Sequence, residues 1–232
     1  MQTTDQNIMT LSPWMDELNF SWDELEQKGV VREYKKHEIL FHFGFPVDRI
    51  YLVKSGRIRL FLTSDDGKEK AIAIIGKNGL LGESCTYHEQ TYICSAITAT
   101  SATVIELKPA TFHEVVFRNP RYTEQVLELM SAKIRLLTMQ SLYLSFGSPL
   151  QRMCDALVHL GLTYGKKLDD DRILITISFT HQELADLIGA TRVTVVNTLK
   201  DLMGQRLLSK ENKYYVIDDL PGIVAYQVSS GR

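Results

Sequence analysis

The 232-residue sequence has few of the features that mark secreted, fibrous or membrane proteins. Its cysteines are Cys85, Cys94 and Cys154, an odd number that is too small for a disulfide framework. No apolar run approaches the roughly 20 residues that cross a bilayer, and residues 1–10 lack the basic-then-apolar order of a signal peptide. We therefore expect reduced thiols and a cytoplasmic protein that makes no use of a membrane.

Charge of one sign is also scarce, since 26 basic and 28 acidic residues give a formal net charge of −2. Nucleic-acid binders usually carry an excess of Lys and Arg, so the net charge of the whole chain argues against nucleic-acid binding. The distribution of charge along the chain argues for nucleic-acid binding. Residues 188–213 hold five basic and two acidic residues, whereas residues 1–147 hold sixteen basic and eighteen acidic ones.

Patterns typical of catalysis are missing as well. The histidines His37, His42, His113 and His159 are scattered, and no nucleophile-elbow, P-loop or paired metal-ligand spacing is present. We expect a protein that is not an enzyme and that holds no metal ion.

Residues 30–117 have the pattern of short strands separated by turns. The turns contain Ser55-Gly56, Asp65-Asp66-Gly67 and Lys108-Pro109. Evenly spaced short strands with such turns favour an antiparallel barrel or jelly roll over alternating helices and strands. The strands are predicted at residues 49–53, 57–62, 70–75 and 102–107.

Residues 118–147 are predicted to form one long helix. Their apolar positions alternate spacings of three and four, which is the seam of a coiled coil. One interpretation is an amphipathic helix packed on the β domain, and the other is a helix that pairs with its copy in a dimer; the length of the seam favours the dimer. The seam comprises Leu127, Met130, Ile134, Leu137, Ser141 and Leu144. Gly147-Ser148-Pro149 follows as a helix stop and start, and is therefore a candidate hinge.

A second, smaller domain is predicted to begin at residue 148. It contains a helix at residues 150–162, a loop at Gly165 and a β-branched strand at residues 173–177. Thr180 and Glu183 then have the spacing of a capping box, so a helix starts there. Gly189 ends that helix and Thr191 caps the next one, which is the order of a helix-turn-helix. A plain helical hairpin is the alternative, because many such turns contain glycine.

The second of these helices is predicted to be a recognition helix. Its residues Val195, Leu199 and Leu202 face inward, so that Arg192, Val193 and Asn197 are left for base edges in a major groove. A hairpin at residues 207–217 would be the wing of a winged helix. Val193 offers methyl groups to thymine, and Asn197 favours adenine where an arginine would favour guanine.

Three passages of the sequence carry a family resemblance: residues 51–58 (Tyr-Leu-Val-Lys-Ser-Gly-Arg-Ile), Gly82-Glu83 with Cys94-Ser95-Ala96 after a variable loop, and residues 184–199. In these passages the chain resembles the CRP/FNR family of bacterial transcription regulators. The resemblance implies an α+β fold with a cyclic-nucleotide-binding-type β-roll (a jelly roll), a long dimerisation helix and a C-terminal winged helix-turn-helix. The corresponding domains are residues 1–117, 118–147 and 148–232.

Membership of this family implies a homodimer that binds a pseudo-palindromic DNA operator, contacts RNA polymerase and responds to a small-molecule effector. The base contacts would come from Arg192, Val193 and Asn197, and the half-site should be richer in A·T than the TGTGA that cyclic-AMP-reading members recognise. Several further residues match positions that touch phosphates in the family. They are Thr180, His181, Gln182, Thr191, Thr194 and Lys213.

The effector site departs from the pattern of cyclic-AMP-reading members. Gly82 and Glu83 are present, but Cys94 replaces the arginine that pairs with the cyclic phosphate in those members. Cyclic AMP is therefore not the expected effector. An iron–sulfur centre of the usual kind is excluded because no cysteine precedes Cys85. Three alternatives stay open: a redox pair of Cys85 with Cys94, haem held by Cys85 and His88, and a stand-alone cyclic-nucleotide-binding module. The preferred interpretation is a small-molecule effector with no cofactor.

A small acidic or phenolic effector is the preferred interpretation. Tyr87 and Tyr92 would line an apolar pocket with Gly82 and Glu83, and the ammonium of Lys133 would meet the acid or phenolate. The spacing from Lys133 onward also looks similar to the halorespiration-type regulators of the family, which sense chlorinated phenolic acids. On this interpretation Lys133→Ala abolishes the effector response and spares the fold.

Overall fold

The computed structural model describes residues 14–15, 18–86 and 91–229. These residues form two compact units, 14–135 and 136–229. The first unit holds nine strands, and the second begins within a long helix and holds four. Each unit has its own buried core.

The first unit contains two sheets. Its strands are β1 (Trp14–Met15), β2 (Val30–Tyr34), β3 (Ile39–Phe41), β4 (Ile50–Ser55), β5 (Ile58–Thr63), β6 (Glu69–Ile75), β7 (Leu80–Leu81), β8 (Ser95–Thr98) and β9 (Ala102–Leu107). One sheet has the order β1-β6-β5-β8-β3 and the other the order β2-β9-β4-β7. All pairs among these strands are antiparallel except β1 with β6. The predicted antiparallel β domain is confirmed.

The hydrophobic core of this unit follows from the alternation along its strands. In β4 and β9, Leu52 lies opposite Ile105, and both side chains are buried. In β5 and β6, Ile58 lies opposite Ile75, and neither is exposed. Alternate residues of a strand point to opposite faces, so one apolar face of each sheet is buried.

Two short helices flank the strands, α1 (Asp23–Lys28) and α2 (Pro109–Arg118). The prediction of strands up to residue 117 is therefore wrong at its end. Lys108-Pro109 looks like a turn between strands, but proline also suits the first helical turn because its φ is fixed and its missing N–H would be unpaired there. Phe112, Val115 and Val116 form the buried face of this helix.

The long helix α3 spans Pro120–Phe146, within a residue or two of the prediction. Tyr122, Val126 and Leu129 on one of its faces are buried in the first unit. Much of the predicted seam is on another face, where Leu127 and Ile134 are 60% and 64% exposed. The helix therefore packs on the β domain and still leaves an apolar row uncovered within the chain.

The second unit has the order of a winged helix. Its elements are α4 (Pro149–Tyr164), β10 (Gly165–Lys167), β11 (Ile173–Ile175), α5 (His181–Ile188), α6 (Arg192–Gly204), β12 (Leu208–Glu211), β13 (Tyr214–Ile217) and α7 (Leu220–Ser229). The strand order is β10-β11-β13-β12, all antiparallel.

Two features of this unit differ from the sequence expectations. The predicted loop at Gly165 is wrong, because residues 165–167 pair with β11, with Lys166 opposite Leu174. Lysine and glycine have low intrinsic strand preference, so the partner strand decides this conformation. The helix α7 was not predicted. It is held by the side chain of Gln227, which donates to Asp155 on α4 at 2.7 Å, and by Tyr226, whose hydroxyl donates to Asp201 on α6 at 2.7 Å.

Candidate nucleic-acid interface and effector site

The helix-turn-helix begins with the predicted capping box. The hydroxyl of Thr180 accepts a hydrogen bond from the backbone N–H of Glu183 at 3.1 Å, and the Glu183 carboxylate accepts one from the N–H of Thr180 at 2.7 Å. Both groups satisfy donors that a helix start leaves unpaired. This prediction is confirmed.

The turn between α5 and α6 is made by Gly189, which adopts φ 63° and ψ 51°. This left-handed conformation is strained for residues with a Cβ, which is why glycine is favoured at a helix C-terminus. The Thr191 hydroxyl then accepts from the N–H of Thr194 at 3.1 Å and caps α6. Val195, Leu199 and Leu202 are buried as predicted.

The predicted base-reading residues lie on the outer face of α6. Arg192, Val193 and Asn197 are exposed, and Val193 is 68% exposed. An exposed valine at the start of a helix gains nothing within the chain, whereas its methyl groups suit contact with a thymine methyl. The three side chains lie on the first two turns of α6, which is the part of a recognition helix that enters a major groove.

The residues expected to touch phosphates have two kinds of surroundings. The hydroxyls of Thr180, Thr191 and Thr194 already take part in helix caps, and Thr191 and Thr194 are hydrogen-bonded to each other at 2.8 Å. Gln182 is exposed, and its amide donates to Asp186 at 2.7 Å. A cap bond uses the hydroxyl oxygen as an acceptor, and the Gln182 amide has two N–H donors, so the caps and the bond to Asp186 are compatible with donation to a phosphate.

His181 is the first residue of α5, where it is partly buried and lies near two cationic side chains. Partial burial and the charges of Lys210 and Arg192 lower the pKa of its imidazole. In the protein without DNA, the His181 imidazole is therefore more often neutral at pH 7 than a solvent-exposed histidine is.

Lys210 was not among the predicted site residues. It belongs to β12, and its ammonium lies 5.3 Å from the ring centroid of Tyr215, while Lys213 lies 5.2 Å from that of Tyr214. Only the folding of the β12–β13 hairpin brings Lys210 near His181, and no local pattern in the sequence could have shown it.

The β-roll holds a buried ion pair between Lys133 of α3 and Glu83, which begins a 3₁₀ turn at residues 83–86. The Lys133 ammonium donates to Glu83 Oε1 at 2.6 Å and to the carbonyl of Leu80 at 2.9 Å. Glu83 Oε2 is also buried, and no hydrogen-bond partner for it exists among the described residues. Lys133 is therefore neither a solvated helix residue nor an uncompensated cation.

Cys94 lies in the same region. Burial raises the pKa of its thiol to about 12, and the charges of Lys133 and Glu83 also act on it. The thiol is thus neutral at physiological pH. A neutral, buried thiol cannot pair with a phosphate and is a poor nucleophile for disulfide exchange.

The other predicted effector residues are only partly placed. Gly82 has φ +83°, and a Cβ there would meet the Arg49 carbonyl and the Tyr92 ring at 3.1 Å. Tyr92 is buried, its ring is stacked on Phe41, and its hydroxyl donates to the Arg49 carbonyl at 2.7 Å. Tyr92 can therefore offer a ligand only part of its ring. Tyr87 and His88 lie outside the described residues.

The predicted seam of α3 is largely open within one chain. Leu137 and Leu144 are 47% and 48% exposed, Ser141 is exposed, and Met130 is half-buried.

Within the residues that the structure describes, no group of three His, Cys, Asp or Glu side chains could hold a metal ion. No described helix combines the length and apolar character that a membrane crossing requires.

Two family models match the chain in the order that the fold shows. The cyclic nucleotide-binding domain matches residues 31–119, and the Crp-like helix-turn-helix domain matches residues 151–226. The chain belongs to the CRP/FNR family of transcription regulators. The expected resemblance and fold class are confirmed.

The CRP/FNR assignment agrees with individual relatives. The chain is 26% identical over 214 residues to an anaerobic regulatory protein of Bacillus subtilis, covering 91% of this chain and 90% of the relative. It is 25% identical over 187 residues to a CRP-like cAMP-activated global transcriptional regulator of Mycobacterium tuberculosis, covering 81% and 83%. A solved structure of a CooA mutant from Carboxydothermus hydrogenoformans superposes with a TM-score of 0.75 at 21% identity, covering 91% and 92%.

The protein is therefore an effector-responsive, DNA-binding transcription regulator of the CRP/FNR type. These relatives are regulators rather than enzymes. The winged helix is the DNA-binding part of such a protein, and the β-roll is the part related to effector-binding domains.

Proposed function

We propose that the protein acts as a homodimer that binds a pseudo-palindromic operator and that α3 forms the dimer interface. The single observation that supports this most is the uncovered apolar row on α3. Leu127, Ile134, Leu137 and Leu144 are each 47–64% exposed, while another face of the same helix is buried. Contact of large apolar side chains with water is unfavourable. At heptad spacing, a second helix can cover such a row and remove that contact.

A dimer would place its two recognition helices at a distance that suits DNA. Two copies of α6 related by a two-fold axis would reach major grooves one turn of DNA apart, about 34 Å. Each would present Arg192, Val193 and Asn197 to a half-site, with phosphate contacts from the starts of α5 and α6 and from Lys213 of the wing. RNA polymerase is the further partner that we propose for the DNA-bound dimer.

The dimer interface is tested by sedimentation of the full chain and of Ile134→Glu. We expect the wild type to have twice the 26.4 kDa mass of one chain, and the variant to be monomeric and to lose DNA binding. Arg135→Glu places the same side chain on an exposed face of the same helix away from the row, and we expect it to stay dimeric. A monomeric wild type, or a dimeric Ile134→Glu, would overturn the proposal.

The effector that we propose is a small acidic or phenolic molecule, including halogenated aromatic ones, and not cyclic AMP. The neutral, buried thiol of Cys94 stands where cyclic-AMP readers carry an arginine, so a cyclic phosphate would be buried there without that partner. Lys133 supplies a positive charge in the same region, but it is already paired with Glu83. An acid would have to replace Glu83 as its partner, whereas a phenol could donate its hydroxyl to Glu83 Oε2.

Thermal shift with a panel of compounds tests the effector class, because a ligand that binds the native state raises its melting temperature. The panel contains cyclic AMP, benzoic acids, phenols and chlorinated hydroxyphenyl acids. We expect shifts from the aromatic acids or phenols only. A shift with cyclic AMP at micromolar concentration would contradict the proposal.

A further inference from the structure

Arg152 connects the ends of two helices in the second unit. Its guanidinium donates to the carbonyl of Gly147 at 2.6 Å, to that of Ile188 at 2.6 Å and to that of Gly189 at 3.2 Å. Gly147 directly follows α3, while Ile188 and Gly189 are the last residue and the C-cap of α5. All three acceptors are thus carbonyls at helix C-termini.

The chemistry of these carbonyls suits a guanidinium. The last carbonyls of a helix have no partner within it and carry the negative end of the helix dipole. Arginine presents five N–H donors in a rigid planar fork, so one side chain can hold acceptors in fixed relative positions.

The charge of Arg152 is compensated mainly by these helix ends. Its removal from water lowers the pKa of the guanidinium, and no carboxylate among the described residues forms an ion pair with it. Charge-assisted hydrogen bonds to the carbonyls are what keep a partly buried cation there.

The backbone that Arg152 holds determines where α6 begins. Gly189 makes the left-handed turn, the N–H of Ala190 donates to the carbonyl of Ala185 at 3.0 Å, and Thr191 caps α6 directly afterwards. On the other side, Ser148 and Gln151 form a capping box that fixes the start of α4. Arg152 therefore lies between two capped, locally defined segments.

We infer that Arg152 is a positioning residue for DNA recognition, which ties the C-terminal end of α3 to the turn that orients α6. The inference rests on the proposed function, because it assigns α3 to the dimer interface. A change at the end of α3 then moves the turn with it, and the distance between the two recognition helices of a dimer depends on this side chain.

The test compares the full-length wild type with Arg152→Gln, which keeps a polar side chain but loses the charge and the fork. Arg152→Lys keeps the charge but cannot reach three acceptors, so we expect an intermediate effect. Arg118→Gln is the matched control, because Arg118 is exposed and pairs with a carboxylate, Glu114, at 2.8 Å.

The first measurement uses a duplex selected by the wild type from a randomised pool at low ionic strength, where contacts to phosphates are strongest. We expect Arg152→Gln to bind it at least tenfold more weakly, Arg152→Lys about threefold more weakly and the control unchanged. We also expect one base pair inserted between the half-sites to weaken the DNA affinity of the wild type about tenfold. The same insertion should weaken the affinity of Arg152→Gln less than threefold. A variant that keeps both the affinity and the spacing preference would overturn the inference.

The second measurement is hydrogen exchange without DNA, which needs neither the operator nor the effector. We expect faster exchange in Arg152→Gln at residues 147–152 and 188–195, with the core peptides of α4 and β13 unchanged. Equal acceleration throughout residues 149–229 would overturn the inference, because Arg152 would then only keep the unit folded. A wild type that selects no duplex or sediments as a monomer would contradict the proposed function. Hydrogen exchange that is unchanged in Arg152→Gln would separately contradict the positioning role of Arg152.

Discussion

The ammonium of Lys133 lies 2.6 Å from Oε1 of Glu83, a residue fifty positions earlier in the chain. The Glu83 side chain is 1% exposed and that of Lys133 is 17% exposed. The pair joins α3 to the 3₁₀ turn of the β-roll, so the helix proposed as the dimer interface is tied directly to the region proposed for the effector. A ligand that changes this pair acts on α3 without any intermediate element.

Removal of Lys133 alone should destabilise the protein. The sequence suggests that Lys133→Ala spares the fold, but the structure replaces that expectation, because Glu83 would be left as a buried charge without its partner. We expect Lys133→Met to lower the free energy of unfolding by about 3–5 kcal/mol in urea denaturation. The double variant Lys133→Met with Glu83→Gln should recover most of the loss. Equal stability of the single variant and the wild type would show that the pair is solvated.

DNA affinity should depend on pH through His181. Burial, Lys210 and Arg192 lower its pKa in the free protein, and a DNA phosphate beside it would raise that pKa. Binding then takes up a proton, so affinity rises as the pH falls. We expect about three- to tenfold tighter binding of a selected duplex at pH 6 than at pH 7.5. His181→Arg carries a permanent charge and should show a flat profile over this range; a wild type with the same flat profile would contradict the phosphate contact.

Stability at mildly acidic pH should depend on His159. It is buried on α4, where burial lowers its pKa to about 4, and its Nε2 lies 3.2 Å from the hydroxyl of Thr163. Below pH 6.5 the unfolded chain binds a proton that the native state does not, so stability falls toward pH 4 and is unchanged above about pH 7. The full effect is roughly 3 kcal/mol.

Urea midpoints at pH 7.5, 6 and 5 measure this effect. The difference between the wild type and His159→Gln, which does not titrate, isolates the histidine from the rest of the pH dependence. We expect the wild type to lose more stability than the variant as the pH falls. Parallel curves for the two proteins would exclude His159 as the cause.

Base preference should follow Asn197. Its amide can bind adenine in a bidentate manner, whereas arginine binds guanine, and a good contact of this kind discriminates by about 1–3 kcal/mol. We expect a binding selection with Asn197→Arg to replace an A·T pair by G·C at one position in each half-site. Lys200→Ala on the same helix serves as the control and should leave the selected sequence unchanged. An identical selected sequence for Asn197→Arg would show that this residue does not read bases.

Local patterns predicted much of the fold because their physics is local. Residues 102–107 form the predicted strand, and Thr180 and Glu183 form the predicted capping box. In both cases the deciding interactions join residues that are close in sequence or follow a fixed periodicity. The errors at α2 and β10 arose where a proline suits both a turn and a helix start, or where a distant strand decides the conformation.

The sequence by itself determined the antiparallel β domain, the long helix with its apolar seam, and the helix-turn-helix with its exposed Arg192, Val193 and Asn197. Only the tertiary structure paired Lys133 with Glu83, placed Lys210 near His181 and directed Arg152 to the carbonyls of two helix ends. These relationships join residues up to fifty positions apart. Periodicity and capping act over a few residues, whereas charge pairing across elements depends on how the folded chain brings their surfaces together.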